Sequence, residues 1–323
     1  MGGNYLLRRL IQASLTIVAI VVLNFFLFRM MPGSPERILL RNPHLTQATV
    51  DAARARWGLD EPVPVQLVKY LQATAQGDLG YSFQYRGQPV AEVIGIRLWP
   101  TVLLIGIAEV IAVVVGLSLG AYSGWRRGGT VDKVGNGVSL ILYSMPYFVI
   151  GMPLIIIFAA ELGWFPTSGM LTPGATYASP IDQLVDFLRH LVLPLATVSL
   201  GLIGGYSILM RSSISDTRTE DYVTTARAKG LTERRILRHH AFPNALLPTV
   251  TIIAINLGYV VAGALTAEII FNWPGLGTLT YAALSGRDFP VLQGVFLILS
   301  VAVVLANLAA DLMYGILDPR VRS

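Results

Sequence analysis

The stretch RSSISDTRTEDYVTTARAKGLTERRILRHHAFPNALLP, Arg211 to Pro248, is a long polar interlude in an apolar chain, with a membrane-length hydrophobic run close on either side. Its pattern predicts two short helices joined by a Gly-Leu-Thr turn. Thr219 is the expected N-cap of the first, with Glu220 and Asp221 in its first turn, Lys229 in its last turn and Gly230 just beyond. Acid at the start, base at the end and glycine after it is the order that helix dipoles and C-caps favour. Thr232 is the expected N-cap of the second helix, which runs through Glu233 to about Ala241 and stops before Pro243. Three roles compete for this pair: a solvated connector, a DNA reader with Arg234, Arg235 and Arg238 on phosphates, or a docking surface for a soluble partner. A reading helix needs freedom to enter a groove, and both ends here are tied to the membrane within a few residues. Nucleic acid is therefore not expected as a partner.

Working outward, 54% of the 323 residues are hydrophobic and only 13% are charged. A soluble domain carries about 25% charged residues, so the deficit marks a membrane protein. The chain has no cysteine, which removes disulfides and thiolate metal sites. Six apolar runs are long enough to cross about 30 Å of hydrocarbon as helices: Leu10–Met31, Trp99–Tyr122, Val134–Ala160, Leu191–Met210, Leu246–Ile270 and Val291–Ile316. The first outruns a signal-peptide core and lacks a small-residue cleavage site, so it reads as a retained span. Between it and the second lies a polar region expected to form a small extramembrane subdomain. A helix over Thr46–Trp57, another starting within Leu59–Gln72, and a strand pair over Gly77–Val90 turning near Arg86–Gly87 are its predicted elements. The expected architecture is an all-α membrane protein with six transmembrane helices. Residues 1–31 hold the N-terminal end and first span, 32–98 the subdomain, 99–316 a five-helix core containing the polar stretch 211–248, and 317–323 a tail.

Charge sets the sidedness. Fourteen Lys and Arg residues fall at the two chain ends, in the Arg126–Lys133 loop and in Arg211–Arg238, against only Arg189 and Arg287 in the short loops opposite. By the positive-inside rule both termini and the polar stretch are cytoplasmic, and the subdomain is extracytoplasmic.

The acidic residues in or beside spans are Glu109, Glu268 and Asp311, and only Glu109 sits near mid-membrane. An ion-coupled carrier using Glu109 is one reading; carboxylates hydrogen-bonded at helix contacts is the other. The histidines His44, His190, His239 and His240 lie in loops or at span edges, which disfavours an intramembrane catalytic dyad. No Gly-Lys pair occurs, so the chain has no P-loop of its own. These observations together point to a passive pathway driven by a partner rather than to an enzyme. Gly116 with Gly120, and Gly201 with Gly204 and Gly205, have the spacing of close helix contacts.

The polar stretch resembles the coupling loop of permease subunits of ABC importers, which carries an E-A-A-x-x-x-G pattern. Aligned on Gly230, those first three positions are Thr224, Thr225 and Ala226, so the family's glutamate is absent. DYVTTARAKGL (Asp221–Leu231) is similar to the variant of the dipeptide/oligopeptide/nickel branch. MPGSP (Met31–Pro35), GLDEPVPVQ (Gly58–Gln66), GDLGYS (Gly77–Ser82), EIIFNWPGLG (Glu268–Gly277) and LDPRVR (Leu317–Arg322) agree with that branch in order along the chain. The long outer region resembles the B-type member of the permease pair. The resemblance implies a plasma-membrane importer of di- or oligopeptides, or else of nickel or another small solute. Its partners would be a second, C-type permease, two ABC ATPase domains that bind ATP and Mg²⁺, and an extracytoplasmic substrate-binding protein. This chain itself would hold no cofactor and no metal. Carried over by position, Thr224, Thr225, Ala226, Gly230 and Leu231 would meet the ATPase. Arg227, Lys229, Arg234 and Arg235 would either pair with its acidic residues or serve as positive-inside charge. Trp273, Pro274, Gly275 and Gly277 would form an outer turn at the cavity mouth or binding-protein contact, or a plain interfacial turn with Trp273 at headgroup level.

Overall fold

The computed structural model describes residues 3–29, 51, 61–85, 87–262 and 265–317, and these are almost entirely helical. The helix expected over Thr46–Trp57, the MPGSP segment, most of GLDEPVPVQ and the tail after Leu317 lie outside the described residues. The chain divides into two compact units, one of Met1–Thr101, Val261–Leu265 and Pro274–Ser323, the other of Val102–Val260 and Thr266–Trp273.

In the first unit, helix α1 (Gly3–Arg29) packs along α12 (Phe289–Leu317). Arg9 meets Asp311 at 2.7 Å near one end, and Asn24 Nδ2 donates to the Gln293 carbonyl at 3.1 Å near the other. Low numbers thus pair with high ones. The two helices run antiparallel, and the start of α1 and the end of α12 lie at the same end of the pair. Helix α2 (Val63–Ala75) joins them through Tyr70, whose hydroxyl accepts from Asn24 at 3.3 Å. The core is formed by Phe28, by Val90 and Ile94 at the start of α3 (Val90–Trp125), by Leu276 and Leu279 of α11 (Leu276–Ser285), and by Leu292 and Val295 of α12. Because α3 already begins at Val90, the end of the polar region belongs to this helix. The strand pair expected over 77–90 shrinks to one antiparallel bridge, Tyr81 with Pro89. Proline has no N–H to extend a ladder, and Gly80 and Gly87 take positive φ on either side. Side chains complete the turn instead: Asp288, fully buried, accepts from Ser82 Oγ at 2.5 Å and from the Gln84 N–H at 2.9 Å.

The second unit continues α3 and adds α4 (Thr130–Ser144), α5 (Tyr147–Leu154), α6 (Pro180–Thr217), α7 (Asp221–Ala228), α8 (Glu233–Ile236), α9 (Phe242–Ala262) and α10 (Leu265–Ile270). Ser179 caps α6, its Oγ accepting from the Asp182 N–H at 3.2 Å, and Pro180 takes the first helical position. At roughly 1.5 Å per residue, the 38 residues of α6 exceed a bilayer's apolar thickness, so its ends stand in the polar layers.

The span expected over Val134–Ala160 is not one helix. Residues before proline are driven out of the α region, and Met145, before Pro146, sits at φ −80° and ψ 125°. The two halves, Thr130–Ser144 and Tyr147–Glu161, meet at 100°. Four helices among the described residues are long and apolar enough to cross a membrane: Leu6–Arg29, Val90–Trp125, Pro180–Thr217 and Phe289–Ala309. The bent pair makes a fifth if it is one span. The remaining expected span, Leu246–Ile270, is helical over the parts of α9 and α10 that it covers.

Glycines bring α3 and α6 together. A Cβ at Gly116 would lie 2.7 Å from Tyr206 Cβ, and one at Gly124 would lie 2.7 Å from the Arg211 carbonyl oxygen; Gly120 between them is tighter still. Gly204 allows the same approach to α4, where a Cβ would meet the Ser139 carbonyl oxygen at 2.6 Å. The small residues at i, i+4 and i+8 thus let two long helices touch backbone to backbone.

A candidate docking face on the polar helix pair

Between α6 and α9 the chain makes the expected helix, turn and helix. Helix α7 starts one residue late, with Glu220 rather than Thr219 at the N-cap, because Thr219 Oγ1 turns back to the Asp216 carbonyl at 2.8 Å. At its other end Gly230 takes φ +74°. The Gly230 N–H bonds the Arg227 carbonyl at 2.9 Å and the Leu231 N–H bonds the Ala226 carbonyl at 3.3 Å. That pair of bonds is the Schellman stop, which needs a left-handed residue at its centre.

The second helix does not stop before Pro243. Helix α8 opens into a wide turn over Leu237–Ala241 and continues directly into α9. The Phe242 N–H reaches back five residues to the Leu237 carbonyl, and Asn244 Nδ2 donates to the His240 carbonyl at 2.8 Å. The wider turn gives the proline ring room and the Asn244 amide adds a hydrogen bond to the turn, so the break expected from proline is absorbed. In consequence the helix that begins beside Thr232 is one lever with the apolar helix that follows.

The pair is two-sided. Val223 and Ile236 are fully buried and Ala226 nearly so, and all three pack on Met210, Ile214, Ala241 and Ala245, with Leu231 and Trp125 at the edge. Ala226 and Leu231, assigned by position to a partner contact, therefore belong to the anchoring face. Their side chains pack α7 on α6 and α9. The opposite face is open: Tyr222, Thr224, Thr225, Lys229, Gly230, Arg234 and Arg235 are exposed. Arg227 is engaged within the chain. Its Nε meets Glu233 Oε1 at 2.8 Å, and its guanidinium lies 5.4 Å from the Trp125 ring centre. This surface pair ties α7 to α8 across the turn and adds modest energy, about 0.2–1 kcal/mol. Lys229, Arg234 and Arg235 make no salt bridge among the described residues, so the outward face presents three uncommitted positive charges.

A second device joins the ends of the long helices. Asp132, at the start of α4 and almost fully buried, receives Arg211 Nε at 2.5 Å and Nη2 at 3.0 Å. It also accepts from Ser123 Oγ at 3.0 Å and from the Gly128 N–H at 2.9 Å. One carboxylate thereby fastens the end of α3, the 126–129 turn, the start of α4 and the end of α6. Sequence pattern gave no sign of this pairing, because the residues stand 79 positions apart.

The other singled-out residues are placed elsewhere. Trp273 is fully buried, its ring 6.1 Å from that of Phe187, and Gly275 and Gly277 are also buried. Trp273 is therefore packed against protein. Helix α10 ends in the same kind of stop as α7, with Asn272 at φ 45° and the Trp273 N–H on the Glu268 carbonyl at 2.8 Å, and this stop draws the tryptophan inward. Glu109 is buried at a helix contact, accepting from the Tyr206 hydroxyl, as the hydrogen-bonded reading expects.

Comparison with known proteins matches this architecture. Residues 112–323 fit the family model described as binding-protein-dependent transport system inner membrane component, and residues 3–105 fit the N-terminal model of the same membrane components. The chain is 38% identical over 320 residues to a putative peptide permease protein of Brucella suis, covering 99% of both chains. It is 34% identical to the oligopeptide transport system permease protein AppB of Bacillus subtilis, covering 98% of both. The glutathione transport system permease protein GsiC of Salmonella choleraesuis is 34% identical, with 99% of both covered. Among solved structures, the MetNI methionine ABC transporter in an inward-facing conformation aligns with a TM-score of 0.57 at 18% identity, over 70% of this chain and 96% of its own.

Proposed function

This chain belongs to the family of binding-protein-dependent transport system inner membrane components, and from that membership we propose that it forms half of the translocation pathway of an ATP-driven importer of di- or oligopeptides. The carrying observation is full-length similarity to peptide permeases, at 38% identity over 320 residues. In this reading the chain crosses the inner membrane six times. The sixth crossing is α9 with α10, and an even number is favoured by the antiparallel α1–α12 pair, whose Arg9–Asp311 contact leaves both ends on one side. The positive-inside balance makes that side cytoplasmic.

The open face of α7 and the turn, with Thr224, Thr225, Lys229, Gly230, Arg234 and Arg235, docks on an ABC ATPase. ATP and Mg²⁺ bind there and not on this chain. A second, related permease completes the pathway, a second ATPase domain completes the motor, and an extracytoplasmic binding protein delivers the peptide. Because α8 runs without interruption into α9, displacement of the docked pair is passed along one helix into the membrane. ATP drives the switch only to the extent that it binds one arrangement better than the other.

The test is reconstitution of the four kinds of subunit in liposomes. ATP-dependent uptake of a di- or oligopeptide is the expected result. Uptake driven by an ion gradient without the ATPases, or uptake of nickel but not peptide, would overturn the reading.

A further inference from the structure

A cavity of about 740 Å³ opens where the bent helix pair α4–α5 faces α6 and α9; its walls include Tyr143, Met145, Pro146, Tyr147, Tyr206 and Asn256. Ligand sites occupy roughly 300–1,000 Å³, so the space suits a small peptide. Two features argue against lipid as its occupant. The break at Met145–Pro146 faces it, and non-helical backbone at membrane depth is tolerated only inside protein or along a water-filled space. A chain of three polar side chains from three helices also ends in it.

That chain has a direction. Tyr206 donates its one O–H to the buried carboxyl of Glu109, so its oxygen is left to accept. Asn256 meets that oxygen with Nδ2 at 2.8 Å. A hydroxyl already committed as donor fixes which edge of an asparagine faces it. Asn256 is only partly buried and lines the cavity, and its carbonyl oxygen and second amide hydrogen have no partner among the described residues. No residue lining the cavity is charged.

We infer that Asn256 hydrogen-bonds the peptide group of the transported substrate inside this cavity, with Tyr206 and Glu109 as positioning residues that hold its amide in one orientation. The inference rests on the peptide-importer reading above. A side-chain amide offers one donor and one acceptor, the complement of a backbone amide. An uncharged lining accepts peptides whose side chains differ in charge, since the amide is the group they share.

The test uses the assembled importer in liposomes and two probes: an unmodified dipeptide, and the same dipeptide N-methylated at its peptide bond, which cannot donate. The binding protein's own preference enters every assay equally and cancels in the comparison between variants. The wild type is expected to favour the unmodified probe. Asn256→Leu should lower its uptake about tenfold, a loss of one good hydrogen-bonded pair, with a smaller effect on the methylated probe, so that the preference narrows. The preference is expected to narrow less in Tyr206→Phe, through a raised KM, and Asn256→Gln should restore part of it. Unchanged KM and preference in N256L and Y206F complexes assembled at normal yield would overturn the inference while leaving peptide import standing. A wild type that moves neither probe would overturn the importer reading on which it rests. Should N256L fail to assemble, the cysteine-free chain permits Asn256→Cys. Slowing of its maleimide labelling by peptide supports the inference, whereas its cross-linking to the second permease at that position overturns it.

Discussion

Gly230 is the position where a single methyl group should separate docking from membrane folding. Its φ is +74°, and a Cβ built there meets nothing within 4 Å. The penalty of Gly230→Ala is therefore one of backbone conformation, about 1–2 kcal/mol for an L-residue in the left-handed region. That lowers the population of the native turn roughly fivefold to thirtyfold relative to alternatives. The buried anchors Val223 and Ile236 lie off the turn, so insertion and assembly of the long helices should persist. Asparagine tolerates this region better than alanine, and a β-branched residue tolerates it worse. Proline cannot reach it, and would also remove the N–H that bonds Arg227. Peptide-stimulated ATPase activity and uptake by the reconstituted importer should fall in the order Gly, Asn, Ala, Val, Pro. A steric account gives no such order, because the space is open. Equal activity of Gly230→Asn and Gly230→Val, or normal coupling in Gly230→Pro, would refute the reasoning.

Other substitutions test neighbouring parts of the account. Asp132→Ala strands Arg211 beside the helix ends and should cost about 3 kcal/mol; thermal unfolding in detergent reads this, and Asp132→Arg with Arg211→Asp should recover part of the loss. Gly124→Leu drives a side chain into the Arg211 backbone and should lower the yield of folded protein far more than Gly137→Leu, where a Cβ meets nothing within 4 Å. Asp288→Ala leaves Ser82 Oγ and the Gln84 N–H without their acceptor at a cost of about 2 kcal/mol, visible as faster proteolysis between residues 77 and 90. Val223→Asp should release α7 and abolish ATPase association. Lys229→Glu with Arg234→Glu should weaken that association with unchanged thermal stability, because both side chains are exposed and make no salt bridge among the described residues.

Much of this was legible in residue pattern. The charge deficit and apolar runs mark the long helices, and the capping order around Asp221–Gly230 locates α7 to within one residue. Glycine spacing on α3 marks its contact with α6, and the glycines of α6 mark its contact with α4 and α5. What escaped the pattern depended on side-chain and backbone partners that residue periodicity does not show. Pro243 reads as a stop until a wide turn and the Asn244 side chain make room for it. Residues 77–90 read as a strand pair, yet they form one bridge and a turn whose Ser82 hydroxyl and Gln84 N–H are taken by Asp288. Trp273 reads as part of an outer turn, at a cavity mouth, a binding-protein contact or the interface, and pattern does not show that the stop at Asn272 turns its ring into the protein. Arg227 reads as either a partner contact or positive-inside charge, and pattern does not show its place between Glu233 and Trp125. The polar chain through Tyr206 and Asn256 carries no local signal, since each member comes from a different helix.

The central claim is that the open face of α7 and its turn meets an ABC ATPase on the cytoplasmic side. The chain has no native cysteine, so single cysteines in place of Thr224 and Lys229 give an unambiguous readout. Each would be treated with a short bifunctional reagent in native membranes and the joined peptide identified by mass spectrometry. The account predicts a cross-link from both positions to a P-loop ATPase, with no labelling by an impermeant maleimide added outside intact cells. Labelling from outside, or an intact importer in which neither position reaches the ATPase, would contradict it.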